Sequence, residues 1–130
     1  MSHSIKQHGR VAIAAAQRCR AGESPETAWQ LEINAATSSE SAQAKSCPRH
    51  AFLGLAEAGL IQGVPGRHAE RQSANAQYAT TAVEILRSNP ALESSVMELW
   101  RSVHAGRDRI IRHNGQMDVV LALWRNGDIA

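Results

Sequence analysis

Two short stretches of the chain carry the side chains best suited to covalent chemistry. Cys47 stands next to Pro48 at the predicted start of a helix, where the helix dipole favours a thiolate over a thiol. His113 is a candidate base for that thiol, and Asp118 or Asn114 is a candidate to orient the imidazole. This set predicts a cysteine-dependent hydrolase or transferase acting on an amide, ester or thiol. The alternative interpretation is that Cys47 packs beneath its helix and that His113 is an exposed loop residue.

Polar side chains that could recognise a ligand lie in the same two stretches. The candidate ligand-binding residues are Arg49, His50, Asn114 and Gln116. Carboxamides hydrogen-bond the amide or carboxylate edge of a ligand, and guanidinium groups bind anions. The plainer interpretation is that residues 113–115 form a turn and a helix cap, with Gly115 serving the backbone geometry.

A metal site is a further interpretation of these residues. Cys47 and His50 are three residues apart, and His113 would supply a third ligand. Beyond the Cys47 and His50 pair, the chain has no Cys-x-x-Cys and no His-x-x-x-His motif, which a dedicated metal site normally uses. We therefore predict no metal and no cofactor.

Arginines cluster before the predicted last helix and suggest a weaker hypothesis, nucleic-acid binding. The cations are Lys45, Arg49, Arg101, Arg107, Arg109 and Arg112. Asp108 interrupts the cluster, no predicted helix carries a row of cations, and the net charge is only +2. A solvated basic connection explains the cluster as well as a nucleic-acid surface does.

The elements that must position these residues are helices. Alanine is abundant, β-branched runs are nearly absent and no stretch alternates with a period of two, which together predict an all-α domain. The predicted elements are a helix over residues 5–20, then helices opening at Ser24 and Pro25, at Cys47 and Pro48, at Ser73, at Ser95, and at Asn114 and Gly115. Residues 37–46 and 62–71 are predicted to be exposed loops. The result is about six helices in one compact domain over residues 1–130.

The two halves of the chain resemble each other, which predicts an internal repeat of residues 9–61 and 76–129. Residues 52–61 align with residues 120–129, and both segments place a glycine near the end of a helix. The matched pairs are Leu53 with Leu121, Leu55 with Leu123, Gly59 with Gly127 and Ile61 with Ile129. Ser24 precedes Trp29 by the same spacing with which Ser95 precedes Trp100. Two pseudo-symmetric three-helix halves would bury their apolar faces against each other.

The duplication makes the starts of the predicted third and sixth helices counterparts. Cys47 and Asn114 lie at these two starts. Helix starts present free N–H groups and a partial positive charge, so a twofold that joined them would create a polar cleft that tolerates anions.

Three motifs in the sequence resemble a small uncharacterised bacterial family, a domain of unknown function. They are Cys47-Pro48, residues 51–55 with 59–61, and residues 113–120 with 122–124. The resemblance extends from about residue 9 to residue 129. It implies a bacterial source and no established activity, cofactor or partner.

The leading functional hypothesis is a small binding or interaction module with its surface at the two helix starts. Its partner would be a protein or a small polar or anionic ligand. The protein partner could be a second copy of the chain, in a homodimer. No run of residues is long and apolar enough to span a membrane, and the first ten residues lack a signal-peptide core. Two cysteines, Cys19 and Cys47, are too few for a disulfide framework, which favours a cytoplasmic protein with reduced thiols.

Overall fold

Helices form the secondary structure of the residues that the computed structural model describes, which are 7–67, 73–107 and 109–130. The elements are α1 (Gln7–Arg20), α2 (Pro25–Ala36), α3 (Glu40–Gln43), α4 (Ser46–Glu57), α5 (Ala74–Ser88), a 3-10 turn (Pro90–Ser94), α6 (Val96–Val103) and α7 (Gln116–Arg125). The predicted all-α class is confirmed. Six of these helices have eight residues or more, which agrees with the predicted number of about six helices. Residues 5 and 6 of the predicted first helix and residues 68–71 of the predicted second loop lie outside the described residues.

Serine caps fix the starts of three helices, as the sequence predicts. The side chains of Ser24, Ser73 and Ser95 each accept a hydrogen bond from the backbone N–H three residues on, at 3.3, 3.1 and 3.2 Å. Each cap satisfies one of the donors that a helix leaves free at its first turn.

The structure differs from the prediction in residues 37–46, which are not a loop throughout. Ser39 accepts a hydrogen bond from the Ala42 N–H and starts the one-turn helix α3. The serines that suggested a loop also favour caps, because a short hydroxyl side chain competes for nearby backbone groups in either setting.

The core lies around α4 and α7. Residues 51–56 of α4 and residues 116–117 and 119–123 of α7 are buried, and α7 packs against α1, α4, α5 and α6. An aromatic pair occupies each side of this core. Trp29 packs on Phe52 with 5.4 Å between ring centroids, and Trp100 packs on Tyr78 at 5.3 Å. Trp29 and Trp100 are therefore residues of the core.

The ends of α4 and α7 are joined by matched contacts. Ile61 and Ile129 form an antiparallel bridge, in which the Gln62 N–H donates to the Asp128 carbonyl at 2.7 Å and the Ala130 N–H to the Leu60 carbonyl at 2.8 Å. Both helices end in the same way, with the last turn closed at a glycine of positive φ, 73° at position 59 and 76° at position 127. Positions 68 residues apart therefore hold equivalent contacts, although the origin of the two halves by duplication stays a prediction.

The starts of the same two helices also meet. A Cβ on Gly115, the N-cap of α7, would lie 3.6 Å from the Pro48 side chain in the first turn of α4. Because their starts and their ends are both adjacent, α4 and α7 run side by side in the same direction. The two sequence stretches singled out for chemistry are thereby brought to one end of the molecule.

Candidate functional site

A cavity of about 510 Å³ opens where three helices begin. Its lining comes from the first turns of α4 and α5 and from the residues that lead into α7. The lining residues are Cys47, Ala74, Asn75, Tyr78, Ile111, Arg112, His113, Asn114 and Gln116. Four of the seven site residues predicted from sequence, Cys47, His113, Asn114 and Gln116, are in this set.

Cys47 is half-buried in the first turn of α4. The N-cap residue of this helix is Lys45, whose side chain makes no capping hydrogen bond. The sulfur instead meets the Asn114 side chain, whose Nδ2 donates to Sγ at 3.6 Å from 67 residues away. The contact ties the two helix starts together.

Gln116 is the centre of a carboxamide network beneath the cavity. Its side chain is buried, with 2 % of the residue exposed. The Oε1 atom accepts from the Asn114 backbone N–H at 2.7 Å, and Nε2 donates to the Asn75 Oδ1 at 2.9 Å. Both ends of a buried carboxamide are therefore satisfied, and the network fixes the chain before α7 against the start of α5.

His113 serves as a cap for α7. Its Nε2 accepts a hydrogen bond from the Met117 N–H at 3.1 Å, and its ring packs edge-on against Trp100 at 5.2 Å. Burial lowers the pKa of His113, the nearby Asp118 carboxylate raises it and Lys45 lowers it. The imidazole is therefore neutral at pH 7, with Nε2 as the acceptor and the proton on Nδ1. In this geometry neither nitrogen has a free lone pair for the Cys47 thiol.

Asp118 lies in the first turn of α7, outside the set that lines the cavity. Its carboxylate acts through space on two imidazoles, because it raises the pKa of both His113 and His8. The structure shows no hydrogen bond between Asp118 and His113 within the residues it describes. Its position suits the helix dipole as well as it suits a role in orienting His113.

Arg49 and His50 do not line the cavity, although they are only two and three residues beyond Cys47 in sequence. Arg49 lies towards α2, where its charge lowers the pKa of Glu26. His50 lines a separate cavity of about 230 Å³ between α4 and α5. A helix turns by about 100° per residue, so neighbours in sequence project in different directions.

Five lining residues were not among the site residues predicted from sequence: Ala74, Asn75, Tyr78, Ile111 and Arg112. Ser73 predicted the start of α5, but no local pattern indicated that this start would face the start of α7. Tyr78 packs against Trp100 and against His104, whose ring centroid is 4.9 Å away. Ile111 is exposed, and its carbonyl accepts from the Trp100 indole at 2.7 Å. That bond holds the wall of the cavity to the core.

The basic connection before α7 is exposed in the structure. Arg107, Arg109 and Arg112 are exposed, and the Arg107 guanidinium carbon lies 5.0 Å from the centre of the Tyr78 ring. Asp108, which interrupts the cluster in sequence, lies outside the described residues. Nucleic-acid binding by this segment stays a prediction.

Among the described residues, no group of three or more histidine, cysteine, aspartate or glutamate side chains is arranged to hold a metal ion. In the same part of the chain, no helix is both long and apolar enough to cross a membrane. Cys19 and Cys47 are both free thiols, and burial raises the pKa of Cys19.

Comparison with known proteins places the chain by family. No curated protein and no solved structure matches it. A protein family matches residues 5–130, nearly the whole chain, which agrees with the resemblance found in the sequence motifs. The chain belongs to this family, DUF6979, a family of unknown function.

Proposed function

We propose that the protein is a small binding module and that its ligand site is the cavity between the starts of α4, α5 and α7. The observation that carries the proposal is the carboxamide network through Gln116. A buried polar side chain that fixes two segments on opposite sides of a cavity pre-organises the walls, and pre-organisation is what a binding site needs. The exposed Asn114 side chain and the exposed Ile111 then offer one polar and one apolar contact to a ligand.

The size of the cavity supports a small molecule or a short side-chain segment as its occupant. Cavities that bind small ligands fall at roughly 300–1,000 Å³ and combine apolar walls with a few polar groups. The cavity here has 510 Å³ and both kinds of wall. The smaller cavity beside His50 has 230 Å³, which is below this range.

The test is a screen of small polar and charged fragments, followed by the NMR signal of each tryptophan indole N–H. The Trp100 indole bonds the cavity wall, whereas Trp29 lies on the other side of the core and serves as an internal control. We expect hits that move the Trp100 signal and lose affinity in Asn114→Ala. Asn34→Ala, at an exposed asparagine of α2, is the matched control and should leave affinity unchanged. Hits that bind elsewhere, or no hits, would contradict the proposal.

The second candidate function is a cysteine-dependent hydrolase or transferase. It is favoured by one observation, that Cys47 and His113 line the same cavity. The thiolate would add to a carbonyl carbon, an amine or alcohol would leave with a proton, and water or a second acceptor would release the acyl group. For that step His113 would have to give up its bond to the Met117 N–H.

Alkylation with iodoacetamide across pH, read by mass spectrometry, tests this candidate. Cys19 in the same chain is the control, because it is buried. An activated Cys47 reacts well below pH 8 while Cys19 stays inert. If Cys47 titrates like a free thiol, with a midpoint near 8.5, the enzymatic candidate loses its nucleophile.

We also propose that the two halves arose by duplication and that the protein is a bacterial, cytoplasmic one. The matched contacts at the ends of α4 and α7 support the duplication. The two unpaired cysteines are consistent with a reducing compartment.

The partner of the binding module is tested in two ways. Sedimentation of the full chain tests a homodimer, and capture from lysate tests another protein as the partner.

A further inference from the structure

The cap at the start of α7 depends on the protonation state of one side chain. The Nε2 atom of His113 accepts a hydrogen bond from the Met117 N–H at 3.1 Å. An imidazole accepts only through a lone pair, and protonation turns both of its ring nitrogens into donors. Met117 is buried, with 0 % of the residue exposed, so water does not replace the imidazole as the acceptor. A proton on Nε2 therefore leaves a buried N–H group without a partner.

Protonation also places a positive charge at the positive end of a helix. The start of a helix carries about half a positive charge, which repels a cation in the first turn. The side chains that cap the other helices are hydroxyls, which do not gain a proton in the neutral range. They belong to Ser24, Ser39, Ser73 and Ser95. Among the described residues, α7 is thus the helix whose capping side chain titrates near neutral pH.

The surroundings of His113 favour the neutral imidazole while the cap is formed. Burial lowers its pKa, the Asp118 carboxylate raises it and Lys45 lowers it, and the balance is a lowered pKa. Burial lowers the pKa of His8 as well, and its Nδ1 would lie 3.7 Å from a Cβ on Gly115 at the same helix start. The titratable and charged groups around His113 are, by element, His8 on α1, Lys45 and Cys47 at the start of α4, Tyr78 on α5, His104 at the end of α6, Arg112 before α7 and Asp118 on α7.

We infer that His113 is an acid-sensitive cap, whose protonation releases the start of α7 together with residues 111–114. These residues form one wall of the cavity, so the inference rests on the proposed function in one respect, that the released wall belongs to the ligand site. The released imidazolium has a carboxylate within reach of its charge, that of Asp118. Acid thus favours the released state twice, through the lost acceptor and through this ion pair.

The wall moves with His113 because its other contacts lie on either side of that residue. The His113 ring packs edge-on against Trp100, and the Trp100 indole donates to the Ile111 carbonyl at 2.7 Å. On the other side, the Asn114 side chain donates to the Cys47 sulfur at 3.6 Å. A ring that leaves its place against Trp100 therefore pulls on both attachments of the wall.

The test is hydrogen exchange of the Met117 N–H in the full chain from pH 7.5 to pH 5, expressed as a protection factor so that the intrinsic rate is removed. An exposed imidazole titrates near pH 6.5. Below that value the ratio of released to capped molecules should rise by up to about tenfold per pH unit, down to the pKa of the capped imidazole. We expect the Met117 protection factor to fall accordingly. The Leu86 N–H, in the buried face of α5, should keep its protection.

Two variants assign the effect to His113. His113→Gln keeps an acceptor of similar reach that does not titrate, so its Met117 protection factor should be nearly constant over the same range. His50→Gln is the matched control, since it removes an imidazole that lines the other cavity, and it should behave as the wild type does. In the wild type, the fall should share its midpoint with the NMR titration of the His113 ring, which tests the inference even if His113→Gln does not fold.

A wild-type protection factor that is constant with pH, a midpoint that differs from that of the His113 ring, or an equal fall in His113→Gln overturns the inference. A parallel loss of protection at Leu86 also overturns it, because acid would then unfold the whole protein. The measurement uses no ligand. Its result is therefore independent of the fragment screen, and the acid-sensitive cap and the binding module stand or fall separately.

Discussion

Replacing Gln116 with methionine removes the buried carboxamide that joins the start of α5 to the approach of α7. Methionine has a similar length and volume, so the change deletes two hydrogen bonds without opening a large cavity. The lost bonds are those to the Asn114 N–H and to the Asn75 side chain, at 2.7 and 2.9 Å. Each is worth about 1 kcal/mol net. Asn114 is exposed and Asn75 half-buried, so water can reach both abandoned partners and the penalty for leaving them is small.

We therefore expect Gln116→Met to lower the free energy of unfolding by about 2 kcal/mol. Urea unfolding followed by circular dichroism measures this quantity. Gln30→Met is the matched control, since it removes an exposed glutamine whose side chain, among the described residues, bonds to Asn34 on the same helix. Its effect should stay within about 0.5 kcal/mol.

A double-mutant cycle shows whether the network itself is responsible. Asn75→Ala and Gln116→Met remove opposite ends of one bond, so their effects should fail to add by about 1 kcal/mol. A coupling energy of zero, or a loss for Gln116→Met no larger than that of the control, would refute the argument. The carboxamide would then be a tolerated buried polar group, and the pre-organisation invoked for the binding site would lose its basis.

Two further predictions concern packing and pH. Gly54→Ala should lower the free energy of unfolding by about 1–3 kcal/mol in urea unfolding, because the new Cβ would lie 2.4 Å from the Ala76 Cβ and 2.6 Å from the Ala76 Cα. Adding Ala76→Gly to this variant should restore only part of the lost stability, because the Ala76 Cα still lies too close. A stabilisation by Gly54→Ala would show that α4 and α5 are not in close contact. Burial lowers the pKa of His113 and of His8 in the folded state, so the unfolded chain binds more protons below about pH 6.5 and stability should fall as the pH drops through that value. His113→Gln should make that fall shallower in unfolding curves taken from pH 7 to pH 5, whereas an unchanged slope would show that this imidazole is not responsible.

Helix ends could be predicted from the sequence because their causes are local. A serine hydroxyl that bonds an N–H three residues on, or a glycine that adopts positive φ, acts within a single turn. The caps at Ser24, Ser73 and Ser95 and the stops at Gly59 and Gly127 therefore occur where the sequence places them. The same local signals also explain the error at α3, since a serine-rich segment satisfies the requirements of a loop and of a cap alike.

The composition of the site could be predicted only in part. The predicted repeat makes Cys47 and Asn114 counterparts, and the structure brings the two side chains into contact. Asn75 and Tyr78 come from a third helix, and no relation along the sequence links that helix to the other two. Their arrival at the cavity depends on how α5 packs against α4 and α7, which no motif encodes. Arg49 is close to Cys47 in sequence, but the turn of the helix places it on another surface, towards Glu26.

The parallel course of α4 and α7 explains why the site lies where it does. Two helices that run side by side in the same direction place their positive starts together and their negative ends together, which is electrostatically unfavourable. At the far end the Arg20 guanidinium offsets this charge by donating to the Gln62 carbonyl at 3.0 Å and to the Asp128 carboxylate at 3.2 Å. At the near end the chain also supplies opposing groups, because Asp118 lies in the first turn of α7 and the His113 imidazole accepts from the Met117 N–H. Both poles are therefore partly compensated by side chains of the protein. The start of α4 differs, because the side chain of its N-cap residue Lys45 makes no capping hydrogen bond, and this is the helix start that presents Cys47 to the cavity.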